Sequence, residues 1–160
     1  MAIVEVRIDD RLIHGQVCGF WIPHYSVNKI VIVDNKIVND EMRKTALQIG
    51  CPAKVKLSIL NSLTASDKLK RKLDEGSNVL ILTANPHPLL EMVEDGYEIK
   101  KIKIGNLSSK EGSVQIKRTV FVSPDELDSF KKLIAKGVTI ESHMIPSEHS
   151  EDITEIIRTL

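Results

Sequence analysis

Ala2-Ile3-Val4-Glu5-Val6-Arg7-Ile8-Asp9-Asp10-Arg11-Leu12-Ile13-His14-Gly15-Gln16-Val17 reads as a strand that ends in a charged turn and restarts as a helix. The run from Ala2 to Ile8 is strand-length and largely apolar, and Gly15 to Trp21 begins a helical pattern. The cluster between them, in which His14 stands among Asp9, Asp10, Arg7 and Arg11, occupies a strand-to-helix turn. In open α/β folds ligands bind at such turns.

Working outward, strand-length apolar runs recur at Lys29 to Val33, Val55 to Ile59, Asn78 to Leu82, Ile102 to Ile104 and Thr119 to Val122. Several are apolar almost throughout, as strands covered on both faces are. Helical patterns lie between them. Ala65, Leu69 and Leu73 share a face, with Gly76 expected to end that helix. Asn85-Pro86 opens another, which runs to about Gly96. Ser123-Pro124-Asp125-Glu126 carries a cap, a proline at the first helical position and a glutamate placed to close a capping box. Leu127, Phe130, Leu133 and Ile134 give that helix its apolar face and Gly137 its stop, and Ile153, Ile156, Ile157 and Leu160 form a last amphipathic helix. The alternation predicts an α/β fold: an open, mostly parallel β-sheet with helices on both faces, in a single domain. The segment Gly105 to Gln115 is polar and glycine-punctuated and reads as a functional loop.

Composition excludes several classes. A chain of 160 residues with 42% hydrophobic content supports one ordinary core. Lys+Arg and Asp+Glu are equal at 22 each, so no global field draws the protein to nucleic acid or to an anionic membrane, and phosphate recognition must be local. Two separated cysteines, Cys18 and Cys51, and a start directly on a strand are expected of a reducing cytoplasm. No apolar run approaches the roughly 20 residues of a spanning helix. Neither a G-x-x-x-x-G-K-[ST] loop nor a dinucleotide G-x-G-x-x-G is present, so nucleotide hydrolysis and hydride transfer are disfavoured. No arginine follows Cys51 to cradle a phosphate, which disfavours a cysteine phosphatase.

The charged turn suits phosphoryl chemistry. A neutral imidazole is a nucleophile toward phosphorus without the activation a hydroxyl needs. Gly15 and Gln16 would offer free backbone N–H groups and the positive end of a helix dipole to phosphoryl oxygens. Arg11 carries a planar fork of donors fit to spread phosphoryl charge. One of the two aspartates would orient the ring, with Asp10 placed ahead of Asp9, though the residues alone leave the choice open. Trp21 is read as core filling and Cys18 as small core packing, while His24, His87, His143 and His149 are read as structural or solvated and lack zinc-site spacing. A rival reading is a receiver-like signalling domain phosphorylated on Asp9, Asp10 or Asp34, although the strand ending in Leu60-Asn61 lacks a receiver's phosphoacceptor. A third is a regulatory module without a transporter.

Arg-Ile-Asp-Asp-Arg-Leu-Ile-His-Gly-Gln-Val at 7–17, followed by Trp21, closely resembles the active-site segment of enzyme IIB of the mannose/fructose/sorbose family of the sugar phosphotransferase system. The resemblance continues through Val33-Asp34-Asn35, the helix from Asn39, the Pro52 region, Ile104-Gly105-Asn106 and Phe121-Val122-Ser123, and so covers residues 1–160 as one free-standing domain. It implies that His14 is phosphorylated on Nδ1 by enzyme IIA and passes the group to a sugar held mainly by membrane components IIC and IID. It further implies a cytoplasmic protein, peripheral to the inner membrane through those partners, with no cofactor, no metal and no nucleic acid. Neither the sugar nor a homo-oligomeric state is legible. The chain departs from the family pattern at Asn106, where a second glycine is common, and over Glu141-Ser142-His143-Met144-Ile145-Pro146.

Overall fold

The computed structural model describes residues 3–72 and 75–160. Ala2 and Leu73, expected in the first strand and on the Ala65–Leu69 helix face, lie outside the described residues. Seven strands form one sheet in the order β3-β2-β4-β1-β5-β8-β9. These are β1 (Ile3–Asp9), β2 (Lys29–Val33), β3 (Lys56–Leu60), β4 (Val79–Thr83), β5 (Lys101–Asn106), β8 (Thr139–Ser142) and β9 (Glu151–Asp152). All pairings are parallel except the last, where the two-residue β9 runs antiparallel to β8.

Strand parity builds two cores. Val31, Val33, Val79, Ile81, Val6, Ile8, Ile102 and Ile104 point to one face, where α3 (Ser62–Lys70), α4 (His87–Glu94), α5 (Pro124–Ala135) and α6 (Thr154–Arg158) cover them. Ile30, Ile32, Leu80 and Leu82 point to the other, beneath Leu12, Val17 and the Leu47 of α2 (Glu41–Gly50). Near-continuous apolar strands are therefore buried on both sides, because successive side chains alternate between faces. The helix after β1 lies on the second face and those after β4 and β5 on the first, so the connections diverge above the carboxyl end of β1. This is the geometry of a ligand crevice in an open sheet.

The helix after the charged turn is helical from Gly15, passes through a π-helical turn (Val17–Trp21), and continues as α1 (Ile22–Tyr25) to a left-handed Ser26, with Pro23 in its first turn. The capping box at α5 forms as its sequence requires: the Ser123 hydroxyl accepts from the Glu126 amide, and the Glu126 carboxylate accepts from the Ser123 amide.

Two expectations are corrected, and one strand was not expected. Val120–Val122 (β7) is not a strand of the parallel sheet but pairs antiparallel with β6 (Val114–Lys117) in a separate hairpin beyond the 107–113 loop, the expected 105–115 loop being trimmed by β5 and β6 at its ends. An apolar triplet buries one side equally well in a hairpin packed on the core, so periodicity did not separate the two. The sheet position is taken by β8, whose Thr-Ile-Glu-Ser is too short and polar to stand out as a strand. Finally, α3 stops at Lys70, well before Gly76, and Lys72 takes a left-handed φ of 56° just after it.

Candidate active site

The carboxyl end of β1 delivers Asp9 and the turn that follows. The Leu12 amide donates to the Asp9 carbonyl at 2.9 Å, and Leu12 itself sits at φ 56°, a left-handed conformation unusual for a leucine. Its side chain is fully buried in the second core, which holds the backbone there against the local strain. The chain thus folds back, and His14 returns over the strand end from which Asp9 projects.

His14 is mostly enclosed, with a side-chain exposure of 14%. Its Nε2 lies 3.1 Å from Asp9 Oδ2, a close contact bent away from the ring N–H direction. Its Nδ1 accepts a hydrogen bond from the Gln16 amide at 3.3 Å. Together these neighbours define a tautomer with the proton on Nε2 and the lone pair on Nδ1. The His14 carbonyl takes the amide of Cys18 at 3.0 Å, which ties the histidine to the start of the helix.

Arg11 closes on the same carboxylate. Its Nε and Nη2 reach Asp9 Oδ1 and Oδ2 at 2.9 and 2.7 Å, its backbone amide reaches Oδ1 at 3.0 Å, and Nη2 also donates to Gln16 Oε1 at 2.9 Å. Burial pushes the Asp9 carboxyl upward, but the adjoining His14 ring and the hydrogen bonds from Arg11 more than offset it and hold the group below the usual carboxylate range. The Arg11 guanidinium is raised chiefly by its hydrogen bonds to Asp9, against a smaller desolvation effect. Arg11, His14 and Gln16 therefore converge around Asp9, with Gly15 between the last two in the chain.

Asp10 does not. Its carboxylate accepts from Asn106 Nδ2 at 2.8 Å and from the Ser108 amide at 2.7 Å, facing away from the imidazole. The residue placed first as the orienting group is instead an anchor that pins the 106–108 loop to the turn, and Asp9 is the carboxylate on the ring. The asparagine that departs from the family pattern supplies that anchor. Asp34 is also committed elsewhere: its Oδ1 accepts the amides of Lys36 and Ile37 and shapes the turn after β2. Cys18, one turn beyond His14, has its thiol pushed up by burial, which disfavours the reactive thiolate.

Behind Asp9 lies a charged layer that periodicity alone concealed. Glu5, Arg7 and Asp9 alternate along β1 with Val6 and Ile8, so the three charges share the face opposite the first core. Arg7 is 1% exposed, donates from Nη1 to Glu5 at 3.0 Å and from Nη2 to the carbonyls of His143 and Met144, and lies 4.0 Å over the Trp21 ring. Tyr25 and Lys103 complete the Glu5 shell at 3.0 and 3.6 Å. Burial and the neighbouring Glu5 push the Tyr25 phenol up to about 12. Trp21 is buried as expected, and it also ties into this layer: its indole N–H donates to the Met144 carbonyl at 3.0 Å, and its ring meets His143 edge-on at 4.9 Å. His143, read as structural or solvated, belongs to this layer. The signal was present as three charges spaced two apart in an otherwise apolar strand.

Fold and site together define an open, mostly parallel α/β domain with a histidine packed against an aspartate at the carboxyl end of its central strand. Residues 3–160 match the family described as PTS system sorbose subfamily IIB component, and the chain belongs to that family. It is a IIB component of the sugar phosphotransferase system, a phosphotransferase of sugar transport. It is 34% identical over 160 residues to the fructose-specific EIIB component of Bacillus subtilis, covering 100% of this chain and 98% of that protein. The IIBSor domain of the sorbose permease from Klebsiella pneumoniae superposes with a TM-score of 0.89 at 31% identity, over 99% of this chain and 98% of that one. The mannose-specific EIIAB component of Escherichia coli is 29% identical over 157 residues, which are 98% of this chain and 49% of that protein.

Proposed function

We propose that this IIB component is a histidine phosphocarrier that takes a phosphoryl group from phosphorylated enzyme IIA onto Nδ1 of His14 and delivers it to a sugar during uptake through IIC and IID. The observation that carries the reading is the pair of contacts on the ring. Asp9 faces Nε2, and the Gln16 amide stands at Nδ1. With the proton on Nε2, the Nδ1 lone pair attacks phosphorus as the donor P–N bond breaks, and Asp9 stabilises the positive charge that the ring then gains. In this reading the Gln16 and Gly15 amides and the Arg11 guanidinium receive the phosphoryl oxygens, the Gln16 amide passing from Nδ1 to an oxygen as phosphorus arrives. In the second transfer the sugar hydroxyl oxygen bonds phosphorus as the P–Nδ1 bond breaks, the ring returns to its neutral Nε2–H form, and the hydroxyl proton passes to solvent. Phosphoryl transfer needs alignment and charge stabilisation, which these groups supply.

In this reading the domain acts as a cytoplasmic subunit that meets the membrane only through its partners. No described helix is long and apolar enough to cross one. The EIIAB name of the Escherichia coli relative supports enzyme IIA as donor, since there the two components share one chain.

The test is labelling with phosphorylated enzyme IIA followed by mapping of the modified residue. The expected product is stable in alkali, labile in acid and absent from His14→Ala. An alkali- and hydroxylamine-labile label on Asp9, Asp10 or Asp34 overturns the reading in favour of a receiver-like acyl phosphate.

A further inference from the structure

Gly105, on β5 beside the end of β1, sits where two buried side chains converge. A Cβ at this position would stand 2.8 Å from Arg7 Nη2 and 2.8 Å from Asp9 Oδ2. Separations this short are not tolerated, so one of the two groups would have to move. Arg7 has little freedom to do so. Its guanidinium is held by Glu5, by the carbonyls of His143 and Met144, and by the face of Trp21. Glu5 is in turn held by Tyr25 and Lys103. The Asp9 carboxylate is gripped on its outer side by the Arg11 fork, and Oδ2 is also the atom 3.1 Å from His14 Nε2.

We propose that Gly105 and Arg7 are positioning residues for the His14 ring. The missing side chain lets the Arg7 guanidinium stand behind Asp9, and that buried cation fixes the carboxylate against Nε2, so that the proton is held there and Nδ1 is left unprotonated, its lone pair toward the Gln16 amide. Charge supports the arrangement as much as shape. Glu5 and Asp9 are two carboxylates on one strand face, and without the cation between them they would repel in a poorly solvated interior. Arg7 makes no hydrogen bond or ion pair with Asp9 and acts on it through charge and packing from behind, while His14 and Arg11 keep the carboxylate ionised. Neither Gly105 nor Arg7 touches the reacting atoms; both act through Asp9.

The consequence for transfer rests on the phosphocarrier reading, but the geometry belongs to the unphosphorylated ring and is measured there. The experiment records long-range ¹⁵N–¹H spectra of the imidazoles in the full chain, labelled at histidine, for the unmodified protein, Gly105→Ala and Arg7→Lys. His14 is identified by its loss in His14→Ala. The unmodified protein is expected to show a dominant Nε2–H tautomer for His14. Gly105→Ala should shift it toward a mixture and slow uptake from phosphorylated enzyme IIA by about tenfold or more. Arg7→Lys keeps the charge and loses the fork, so it should move the same signals the same way by less. A merely structural glycine would lower the melting temperature and leave the ring nitrogens unchanged, and that result in folded Gly105→Ala overturns the proposal. Should Gly105→Ala fail to fold, unchanged His14 nitrogens in Arg7→Lys overturn it instead. Should the tautomer shift while the unmodified protein takes no label on His14, the positioning role stands and the phosphocarrier reading falls.

Discussion

Asp9 and His14, five residues apart, meet at 3.1 Å because the left-handed Leu12 folds the turn back onto the end of β1. Asp9→Asn keeps the volume and removes the charge opposite Nε2. Phosphoryl uptake is expected to fall about 10- to 100-fold, as it does when an orienting partner of a functional imidazole is lost. Asp10→Asn should leave uptake within about twofold and cost stability of about 1 kcal/mol through the loosened 106–108 anchor. Uptake rates and denaturant midpoints of the two variants check the contrast, and a larger rate loss in Asp10→Asn would reverse the assignment.

Arg11 is partly exposed, with 36% of its side chain accessible, so its ion pair contributes little to folding. Arg11→Ala should lower stability by about 1 kcal/mol or less while slowing phosphoryl transfer strongly. Arg11→Lys should recover only part of the rate, since a point charge does not reproduce the fork on Asp9. Stopped-flow uptake beside thermal melts separates the two effects.

Gly15 needs neither a positive φ nor a tight approach within the protein, because an added Cβ meets nothing within 4 Å. Gly15→Ala is therefore expected to fold normally, with a melting temperature equal to or slightly above that of the unmodified protein. Slower uptake in that folded variant reports what comes close from outside, the phosphoryl group or the face of the donor. An unaltered rate would show that nothing from outside approaches the Gly15 Cα closely, leaving only its amide to act.

His143 is held below its ordinary value by burial, with the Lys103 ammonium adding to it. Because the folded value is depressed, the unfolded chain binds the proton more readily. Stability should therefore be full above pH of about 6.5 and decline as pH falls through the folded value. Trp21, the single tryptophan, lies edge-on to this imidazole at 4.9 Å, so its fluorescence should titrate with a midpoint below about 6.5. The transition should vanish in His143→Gln. Persistence there would detach the transition from His143.

The sequence by itself determined the strand, the turn and the helix that carry His14, the parallel class of the sheet and the capping box of α5. Each of these depends on local periodicity or on contacts between residues a few positions apart. Tertiary structure decided which aspartate faces the ring, where the last apolar triplet goes, and what stands behind the site. Asp9 and Asp10 are equivalent as letters. They diverge because Asn106 and Ser108, nearly a hundred residues away, claim the second carboxylate, while Gly105 leaves room for Arg7 behind the first. Contacts between strands joined by long crossovers leave no periodic trace in either segment, so they become visible only when the sheet is assembled.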